Sequence, residues 1–370
     1  MPMDKKFLFS CLICVFIFAF STAFYFNDET IIKSENRMVT AFPKLPEKLS
    51  TSKIKYFFTQ LSQFYNDNFP NREKIILTLT TLVPSVKTEN LSIDTVISGK
   101  EDWLFLGNNY NNTIDKLTGK LYYHDSDNRK YDVKKRYDFY KNIAEKVLAH
   151  SKEVFFLIAP DKSTVYPEFL PETIIPAPKP FHEFLTQKMQ RENLNVYYPR
   201  QDLLQNKEKA LLYYVTDSHW NNYGAFIAFI RLISRLDPAF PEMIKEEDFR
   251  FKPLKSTAGD LISLGNFLFK DKDYKDTFQV SYKNMPVETP KAEQTENKQN
   301  GLIQTVNPEA LINKTVWIIG DSFSTALRPY FSFFFKNVYF IHKDTFNASP
   351  AGFTDIQADF AVYECVERSF

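Results

Sequence analysis

The amino-acid sequence predicts an α/β fold in which helices cover both faces of a mainly parallel sheet. Three apolar runs, at residues 154–158, 315–319 and 360–366, indicate buried strands. Residues 134–150 and 223–236 instead place apolar side chains at helical spacing, so we expect amphipathic helices there. Strands that alternate with helices are typical of parallel sheets, because each parallel connection needs a crossover segment.

The composition favours a large globular domain and argues against several classes of function. Of the 370 residues, 44% are hydrophobic and 25% are charged, and the formal net charge of +1 offers no attraction to nucleic acid. Outside the N-terminal apolar segment the only cysteine is Cys365, so we expect neither an intramolecular disulfide nor a cysteine-based zinc site. The sequence predicts no metal and no cofactor.

The N-terminus has the pattern of a segment that enters a membrane. Lys5 and Lys6 precede an apolar run at residues 7–26, and a helix rising about 1.5 Å per residue over that run would cross a hydrocarbon core roughly 30 Å thick. The basic flank predicts that the rest of the chain lies outside the cytoplasm, at the periplasmic face of the inner membrane. We interpret residues 1–29 as a signal anchor. A cleaved signal peptide is the alternative, because residues 21–23 resemble a cleavage site.

The exported part divides into two predicted regions. Residues 30–95 are expected to form a tether and a helical segment, with an amphipathic helix at residues 54–65. Residues 96–370 are expected to form the catalytic domain. Within it, residues 284–303 have almost no large apolar side chains, so we expect a solvated loop or a mobile insertion there.

The motif Gly320-Asp321-Ser322 follows the predicted strand at residues 315–319. A serine at the point where a strand turns into a helix lies at the edge of a parallel sheet, with helix N–H groups close to its hydroxyl. This position suits a nucleophile for acyl transfer. The structural alternative for Ser322 is a helix N-cap, which serine favours. Asp321 is interpreted as a helix-start residue.

The motif Asp217-Ser218-His219-Trp220 contains a carboxylate and an imidazole two residues apart. Residues i and i+2 of an extended segment project to the same side, so Asp217 can reach the ring of His219. The carboxylate would fix the tautomer and leave the other ring nitrogen to take a proton from Ser322. The structural alternative for His219 is a hydrogen-bonded, partly buried histidine.

An ordered series of motifs resembles the AlgX/AlgJ-type polysaccharide O-acetyltransferases, which are SGNH-hydrolase-like proteins. The series spans roughly residues 35–368 and comprises Glu35-Asn36-Arg37, Tyr65-Asn66-Asp67-Asn68-Phe69, Trp103-Leu104-Phe105, Ala159-Pro160-Asp161-Lys162, Tyr166-Pro167-Glu168, Asp217-Ser218-His219-Trp220, Gly259-Asp260-Leu261, Gly320-Asp321-Ser322-Phe323 and Glu364-Cys365-Val366-Glu367-Arg368.

The resemblance implies an SGNH-hydrolase-like three-layer α/β/α sandwich, with Ser322 as nucleophile, His219 as general base and Asp217 as orienting carboxylate. It also implies a polysaccharide acceptor such as alginate, an acetyl donor supplied by a membrane-bound O-acyltransferase, and no cofactor. The predicted anchor, and a chain that stops where AlgX continues into a carbohydrate-binding module, make this sequence more similar to AlgJ.

The predicted function is transfer of an acetyl group, through an acetyl-serine intermediate, onto hydroxyls of an exported cell-envelope polysaccharide. The alternatives are a polysaccharide acetyl-esterase of the same fold and a non-catalytic polysaccharide-binding or assembly protein. For substrate contacts we expect Lys162 at the sheet edge, Tyr166 and Trp220 stacked on sugar rings, and Arg328 near the nucleophile. The structural alternatives are a solvated loop lysine, packing aromatic rings and an arginine that pairs with a carboxylate elsewhere.

Overall fold

The computed structural model describes residues 95–122, 132–255, 258–265, 274–288, 294–297, 301–353 and 355–370, together with a few positions between Ile31 and Phe64. The predicted signal anchor at residues 1–29 lies outside the described residues, as does most of the predicted tether. Among the described residues, no helix is both long enough and apolar enough to cross a membrane.

The chain divides into two compact units. One comprises Met1–Thr88 with Asn266–Leu268, and the other comprises Glu89–Gly265 with Phe269–Phe370. In the smaller unit, β1 (Ile31–Ile32) pairs antiparallel with β2 (Arg37–Met38). Residues 57, 61 and 64 are helical and partly buried, which is the spacing of one helix face and agrees with the predicted amphipathic pattern.

The larger unit contains the following regular elements. Its strands are β3 (Val96–Ser98), β4 (Leu104–Leu106), β5 (Ser151–Ala159), β6 (Asn195–Tyr197), β7 (Phe249–Leu254), β8 (Thr277–Tyr282), β9 (Met285–Pro286), β10 (Gln294–Asn297), β11 (Leu302–Val306), β12 (Ile312–Gly320), β13 (Phe335–His342) and β14 (Ala358–Val366). Its α-helices are α1 (Thr113–Leu117), α2 (Val133–Leu148), α3 (Lys162–Val165), α4 (Glu183–Arg191), α5 (Arg200–Asn206), α6 (Asn222–Leu236), α7 (Phe240–Met243), α8 (Asp260–Leu264), α9 (Arg328–Phe334) and α10 (Lys343–Ala348). Short 3-10 turns lie at Lys100–Asp102, Pro167–Phe169, Glu246–Asp248, Ser322–Leu327, Pro350–Phe353 and Glu367–Ser369.

Seven strands form the central sheet in the order β10-β11-β13-β12-β14-β5-β6. The five strands from β13 to β6 pair in parallel. β11 and β10 continue the sheet antiparallel at one edge. Ile318 of β12 lies opposite Phe340 of β13 and Val362 of β14. The strand β12 is therefore near the middle of the sheet and pairs with a neighbouring strand at each edge.

Side chains from alternate positions of these strands form two separate cores. Along β12, Val316 and Ile318 join the core that contains α6 and α9, whereas Trp317 and Ile319 join the core that contains α2, α4 and α10. Burying an apolar side chain of this size contributes about 1.5–3 kcal/mol to folding. Helices therefore cover both faces, and the predicted α/β sandwich with a mainly parallel sheet is confirmed.

The structure differs from the predicted loop at residues 284–303. β9, β10 and the start of β11 lie in this stretch, and β10 pairs antiparallel with β11, with Glu296 opposite Ile303. The loop prediction is therefore wrong for these residues. A polar stretch can form such strands because pairing uses backbone groups, and an edge strand is paired on one side alone.

The parallel strands bring several polar segments to one edge of the sheet. Asp161 and Lys162 follow β5, Asp321 and Ser322 follow β12, and Glu367 follows β14. In open α/β sheets, ligand sites lie beyond the carboxyl ends of the strands. The fold thus assembles the candidate site from segments that are far apart in sequence.

Candidate active site

Ser322 lies on a tight turn at the end of the central strand β12. Gly320 is the last residue of β12, and Ser322, whose side chain is exposed, begins the 3-10 helix Ser322–Leu327. A Cβ atom at Gly320 would lie 2.6 Å from the Cβ of Ser324 and 2.8 Å from Oε2 of Glu364, so the turn is too close-packed for a larger residue. An α-helix does not follow Ser322 directly, since α9 begins only at Arg328.

Asp321 fixes the conformation of this turn. Its Oδ1 accepts a hydrogen bond from the backbone N–H of Phe323 at 3.1 Å, in agreement with the predicted helix-start role. Its Oδ2 accepts hydrogen bonds from the N–H of Val366 at 2.9 Å and from Nζ of Lys343 at 2.6 Å. Burial by itself would raise the pKa of Asp321, but the Lys343 ammonium and the N–H donors hold this pKa below its ordinary value.

A buried carboxyl group lies beneath the turn. Oε2 of Glu364 accepts the backbone N–H of Asp321 at 3.0 Å, and the Glu364 side chain is fully buried. Burial raises the pKa of Glu364 well above its ordinary value, and the neighbouring charge of Asp321 raises it further. Burial therefore favours the neutral form of Glu364, whose hydrogen bond joins the end of β14 to the turn after β12.

His219 lies in a loop without regular secondary structure, at residues 214–219. Lys162 holds this loop from inside the protein, because its Nζ donates to the carbonyl oxygens of Tyr214 at 3.0 Å, Val215 at 3.1 Å and Asp217 at 2.7 Å. Only 3% of Lys162 is exposed, and burial lowers its pKa to about 7. A single buried amine thus satisfies three backbone carbonyl groups of the loop.

Asp217, His219 and Ser322 form a continuous chain of hydrogen bonds. Oδ1 of Asp217 lies 2.7 Å from Nδ1 of His219, and Nε2 of His219 lies 2.7 Å from Oγ of Ser322. Burial would raise the pKa of Asp217, but the hydrogen bond and charge of His219 bring it below its ordinary value. The arrangement can therefore move a proton from the serine hydroxyl to the imidazole while a carboxylate holds the other ring nitrogen.

A second carboxylate lies beside this chain. Asp260, the first residue of α8, accepts hydrogen bonds from the N–H of Ser218 at 2.7 Å and from its Oγ at 2.5 Å. Ligand atoms of Asp217, His219 and Asp260 lie within 4.8 Å of one another, a spacing that a metal ion would also allow. In this structure each of these atoms is a partner in the hydrogen bonds of the group, so we interpret the cluster as a hydrogen-bond network.

Three of the residues predicted to contact substrate are buried in the structure. Lys162 is buried and bonded to the loop carbonyls. Tyr166 is 3% exposed, its ring packs 4.6 Å from that of Trp103, and its hydroxyl accepts the N–H of Leu212. Trp220 is 1% exposed and donates its Nε1–H to the carbonyl of Phe323 at 3.0 Å. Each has an apolar body and one polar end that finds a partner inside the protein, so burial is favourable.

Arg328 begins α9, six residues after Ser322. Its guanidinium lies 5.2 Å from the ring centroid of Phe340. This contact is a cation–π interaction within the protein. Its contact with an anionic substrate stays a prediction.

Sequence reasoning gave no role to Phe323, which links the two halves of the site. Its ring centroid lies 4.9 Å from that of His219 and 5.4 Å from that of Trp220. The sequence feature that could have identified Phe323 as part of the site is its position directly after Ser322. Ser218 and Asp260 also received no role, although both lie within quoted motifs, because nothing in the sequence indicates that residues 218 and 260 meet.

A cleft of about 880 Å³ opens at Ser322. Its wall includes the amide side chains of Asn111 and Asn347, the half-exposed ring of Phe139, and the exposed Lys135. Amides and an aromatic face are groups that bind sugar hydroxyls and sugar rings. None of the four residues predicted to contact substrate lines this cleft.

Comparison with protein families identifies the chain. The family model described as "SGNH hydrolase-like domain, acetyltransferase AlgX" matches residues 96–353, which is more than half of the sequence. The chain therefore belongs to this family of SGNH hydrolase-like acetyltransferases. A search of curated protein sequences gives no match.

The chain is also similar to several solved structures. PatB1 of Bacillus cereus is 14% identical, with a TM-score of 0.48, over 74% of this chain and 96% of that one. The O-acetyltransferase domain of Pseudomonas putida AlgJ is 16% identical, with a TM-score of 0.46, over 74% of this chain and 91% of that one. Pseudomonas aeruginosa AlgX is 15% identical, with a TM-score of 0.45, over 76% of this chain and 63% of that one. The family assignment rests on the match over residues 96–353.

Proposed function

We propose that this member of the acetyltransferase family moves acetyl groups onto hydroxyls of an exported cell-envelope polysaccharide. Ser322 is the nucleophile, His219 the general base and Asp217 the carboxylate that orients the imidazole. The observation that carries the proposal is the placement of His219, with Nε2 2.7 Å from Ser322 Oγ and Nδ1 2.7 Å from Asp217 Oδ1. Such a triad is defined by its geometry, whatever the order of its members in the chain.

In the first step, Ser322 takes the acetyl group from its donor. His219 Nε2 accepts the hydroxyl proton while Oγ bonds to the acetyl carbon, and the leaving group departs with that proton. The backbone N–H of Ser322 stabilises the oxyanion, because the first N–H of the 3-10 helix has no partner within the helix. The product is an acetyl ester on Ser322.

In the second step, a sugar hydroxyl takes the acetyl group from Ser322. His219 accepts the proton of that hydroxyl, the sugar oxygen bonds to the acetyl carbon, and the Oγ–carbon bond breaks with return of the proton to Ser322. We assign the acceptor polymer to the cleft at Ser322, in which Asn111, Asn347 and Phe139 offer amides and an aromatic face. Acceptor binding there competes with water for the acetyl-enzyme.

The donor and the location are part of the same proposal. The apolar run at residues 7–26 supports a membrane anchor that keeps the catalytic domain outside the cytoplasm, where soluble nucleotide and coenzyme donors are lacking. A membrane-bound O-acyltransferase would then deliver the acetyl group to Ser322.

Intact mass spectrometry tests the nucleophile. The purified full-length chain is exposed to an activated acetyl ester, with Ser322→Ala treated in parallel. We expect one acetyl adduct on the wild type and none on the variant, because the variant lacks the attacking oxygen. Equal adducts on both proteins, or none on either, would remove Ser322 from this role and favour the binding or assembly alternative.

Discharge of the acetyl-enzyme then separates a transferase from an esterase. Oligosaccharides from envelope polymers are added, and acetylated sugar and free acetate are measured together. A transferase forms acetylated sugar in excess of free acetate. Release of acetate alone, at a rate that does not depend on the sugar, would support the esterase alternative.

A further inference from the structure

The segment Gly259-Asp260-Leu261 lies directly against the loop that carries His219. The N–H of Leu261 donates to the carbonyl of Thr216 at 3.2 Å, and the N–H of Asp260 donates to Oδ2 of Asp217 at 3.0 Å. A Cβ atom at Gly259 would lie 2.4 Å from the Thr216 carbonyl oxygen and 2.5 Å from the Cβ of Asp217. Only glycine allows this approach, so the segment is built to place residue 260 beside the catalytic loop.

The carboxylate of Asp260 lies near Nδ1 of His219, whereas Ser322 bonds to Nε2. Both of its oxygens accept hydrogen bonds from Ser218, one from the N–H at 2.7 Å and one from Oγ at 2.5 Å. The ionised form of this carboxyl group can accept both of these hydrogen bonds. Oδ2 of Asp260 also lies 3.7 Å from Nδ1 of His219, and Oγ of Ser218 lies 3.3 Å from the same nitrogen.

Two carboxylates therefore flank the same ring nitrogen of His219. Asp217 lies at 2.7 Å and makes the direct hydrogen bond, whereas Asp260 lies one ångström farther away. Burial raises the pKa of Asp260, and the charge of Asp217 raises it further, while the Ser218 donors and His219 act in the opposite direction. Repulsion between the Asp217 and Asp260 carboxylates costs free energy in the resting protein. A positive charge on His219 offsets that repulsion.

Among the described residues, other charged groups bind this loop or lie close to it, and Arg368 lies 5.6 Å from the ring centroid of Phe323. Lys162 reaches the loop from α3 and binds the carbonyl of Asp217. Asp276, just before β8, accepts the N–H of Val215 at 2.8 Å. Tyr214 lies in the loop itself, and Phe323 is the neighbour of His219 on the Ser322 side.

We propose that Asp260 is a positioning residue that acts through His219, because its negative charge stabilises the imidazolium formed when His219 accepts the proton of Ser322. This inference rests on the proposed function, because it assigns Asp260 to the same proton transfer. Asp217 holds the imidazole by direct contact. Asp260 holds the loop through Ser218 and adds a second negative charge near the imidazolium.

The simpler alternative is that Asp260 only holds Ser218 in place. Asp260→Asn and Ser218→Ala distinguish the two roles. Asp260→Asn removes the charge and keeps the size and the oxygen that accepts the Ser218 N–H. Ser218→Ala removes the hydroxyl and keeps both carboxylates. A charge effect appears in the first variant and is small in the second, whereas a purely mechanical effect appears in both.

NMR titration of the His219 imidazole gives a readout that does not need turnover. The full-length chain is compared with both variants, and His219→Ala assigns the signal. We expect the midpoint of the measured imidazole titration to move to lower pH in Asp260→Asn, because an opposite charge a few ångströms away is lost. Ser218→Ala should move it less than half as far. An unchanged midpoint in Asp260→Asn, or equal shifts in both variants, would overturn the proposal.

The pH profile of kcat/KM for an activated acetyl ester gives the second readout. In Asp260→Asn the acid limb should shift to lower pH by the same amount, and the plateau should fall about tenfold. Asp260→Glu should restore part of the loss, because it restores the charge. A lower plateau with an unmoved acid limb would assign Asp260 a structural role only. If no variant and no wild type forms an acetyl-enzyme, the proposed function fails, and the titration still decides whether Asp260 acts on His219.

Discussion

The turn that carries Ser322 and the loop that carries His219 reach the same site by different means. Ser322 follows directly from β12, a nine-residue strand with a neighbour on each side, and Asp321 secures the turn to the end of β14. His219 lies in a loop at residues 214–219 that depends on side chains from other segments, chiefly Lys162, Asp260 and Asp276.

The serine turn and the histidine loop should therefore tolerate substitutions differently. The serine turn is an extension of the central sheet, so much of its position is set by backbone pairing and by the two cores. The histidine loop has few backbone hydrogen bonds of its own, and buried polar side chains must satisfy its carbonyl and N–H groups. We therefore expect substitutions beneath the loop to affect activity and stability together, and substitutions beneath the turn to affect mainly stability.

The largest effect should come from removing the atoms that exchange the proton. Ser322→Ala and His219→Ala should each lower kcat/KM for an activated acetyl ester by about a thousandfold or more, because each removes a member of a unit that acts together. The melting temperature should change little, since neither side chain is fully buried. His150→Ala, just before β5 at the opposite end of the sheet, is the control and should keep full activity. Retention of a tenth of the activity by either active-site variant would contradict the assignment.

Lys162→Met should weaken the loop more than any other single change outside the triad. The variant leaves three carbonyl groups without their buried donor, so we expect the free energy of unfolding to fall by about 2–4 kcal/mol and kcat to fall with it. Lys152→Met, on an exposed part of β5, is the matched control and should cost less than about 1 kcal/mol. Chemical denaturation measures both. Equal losses from the two variants would show that the loop does not depend on Lys162.

The pH dependence of stability gives a second measure of Lys162. Its pKa is about 7 in the folded protein and 10.5 in the unfolded chain, so the unfolded state binds more protons between these values. The contribution of Lys162 to stability therefore rises as pH increases from 7 towards 10. The difference in unfolding free energy between wild type and Lys162→Met should widen between pH 7 and pH 9. A constant difference would mean that the folded protein keeps the amine charged.

In the turn that carries Ser322, Asp321→Asn should lower stability without abolishing activity. It removes the charged hydrogen-bond partner of the partly buried Lys343 ammonium, which costs about 1.5–3 kcal/mol. The pKa of Asp321 is lowered by folding, so its contribution is present above its unfolded-state pKa and is lost as pH falls through the folded-state value. Wild type and variant should thus differ at pH 7 and converge at strongly acidic pH. Divergence at acidic pH would exclude an ionised Asp321 in the folded protein.

The smallest effect should come from Trp220→Phe. The variant keeps an aromatic ring in the core and loses one hydrogen bond to the Phe323 carbonyl, which costs about 1 kcal/mol. Because Trp220 is buried, KM for a glycan acceptor should not change. A large rise in KM with unchanged stability would indicate that Trp220 contacts the substrate, and it would contradict the placement of Trp220 in the core.

Features that depend on neighbouring residues in the chain can be predicted from the sequence. Alternating apolar runs and helical spacing predict a parallel sheet with two covered faces, because period and length decide which element a segment forms. Local patterns in the sequence also predict that Ser322 follows a strand. They predict that the side chains of Asp217 and His219 project to the same side of the backbone. An ordered series of motifs indicated the family resemblance, and the match over residues 96–353 confirms it.

Which polar groups come into contact depends on the tertiary structure. Ser322 and His219 are 103 residues apart, and Ser218 and Asp260 are 42 residues apart. Lys162, Tyr166 and Trp220 have the composition of surface binding groups, yet each is buried, because its polar end finds a backbone partner inside the protein. Burial depends on which backbone groups a loop leaves unsatisfied after folding, and that is a property of the assembled chain.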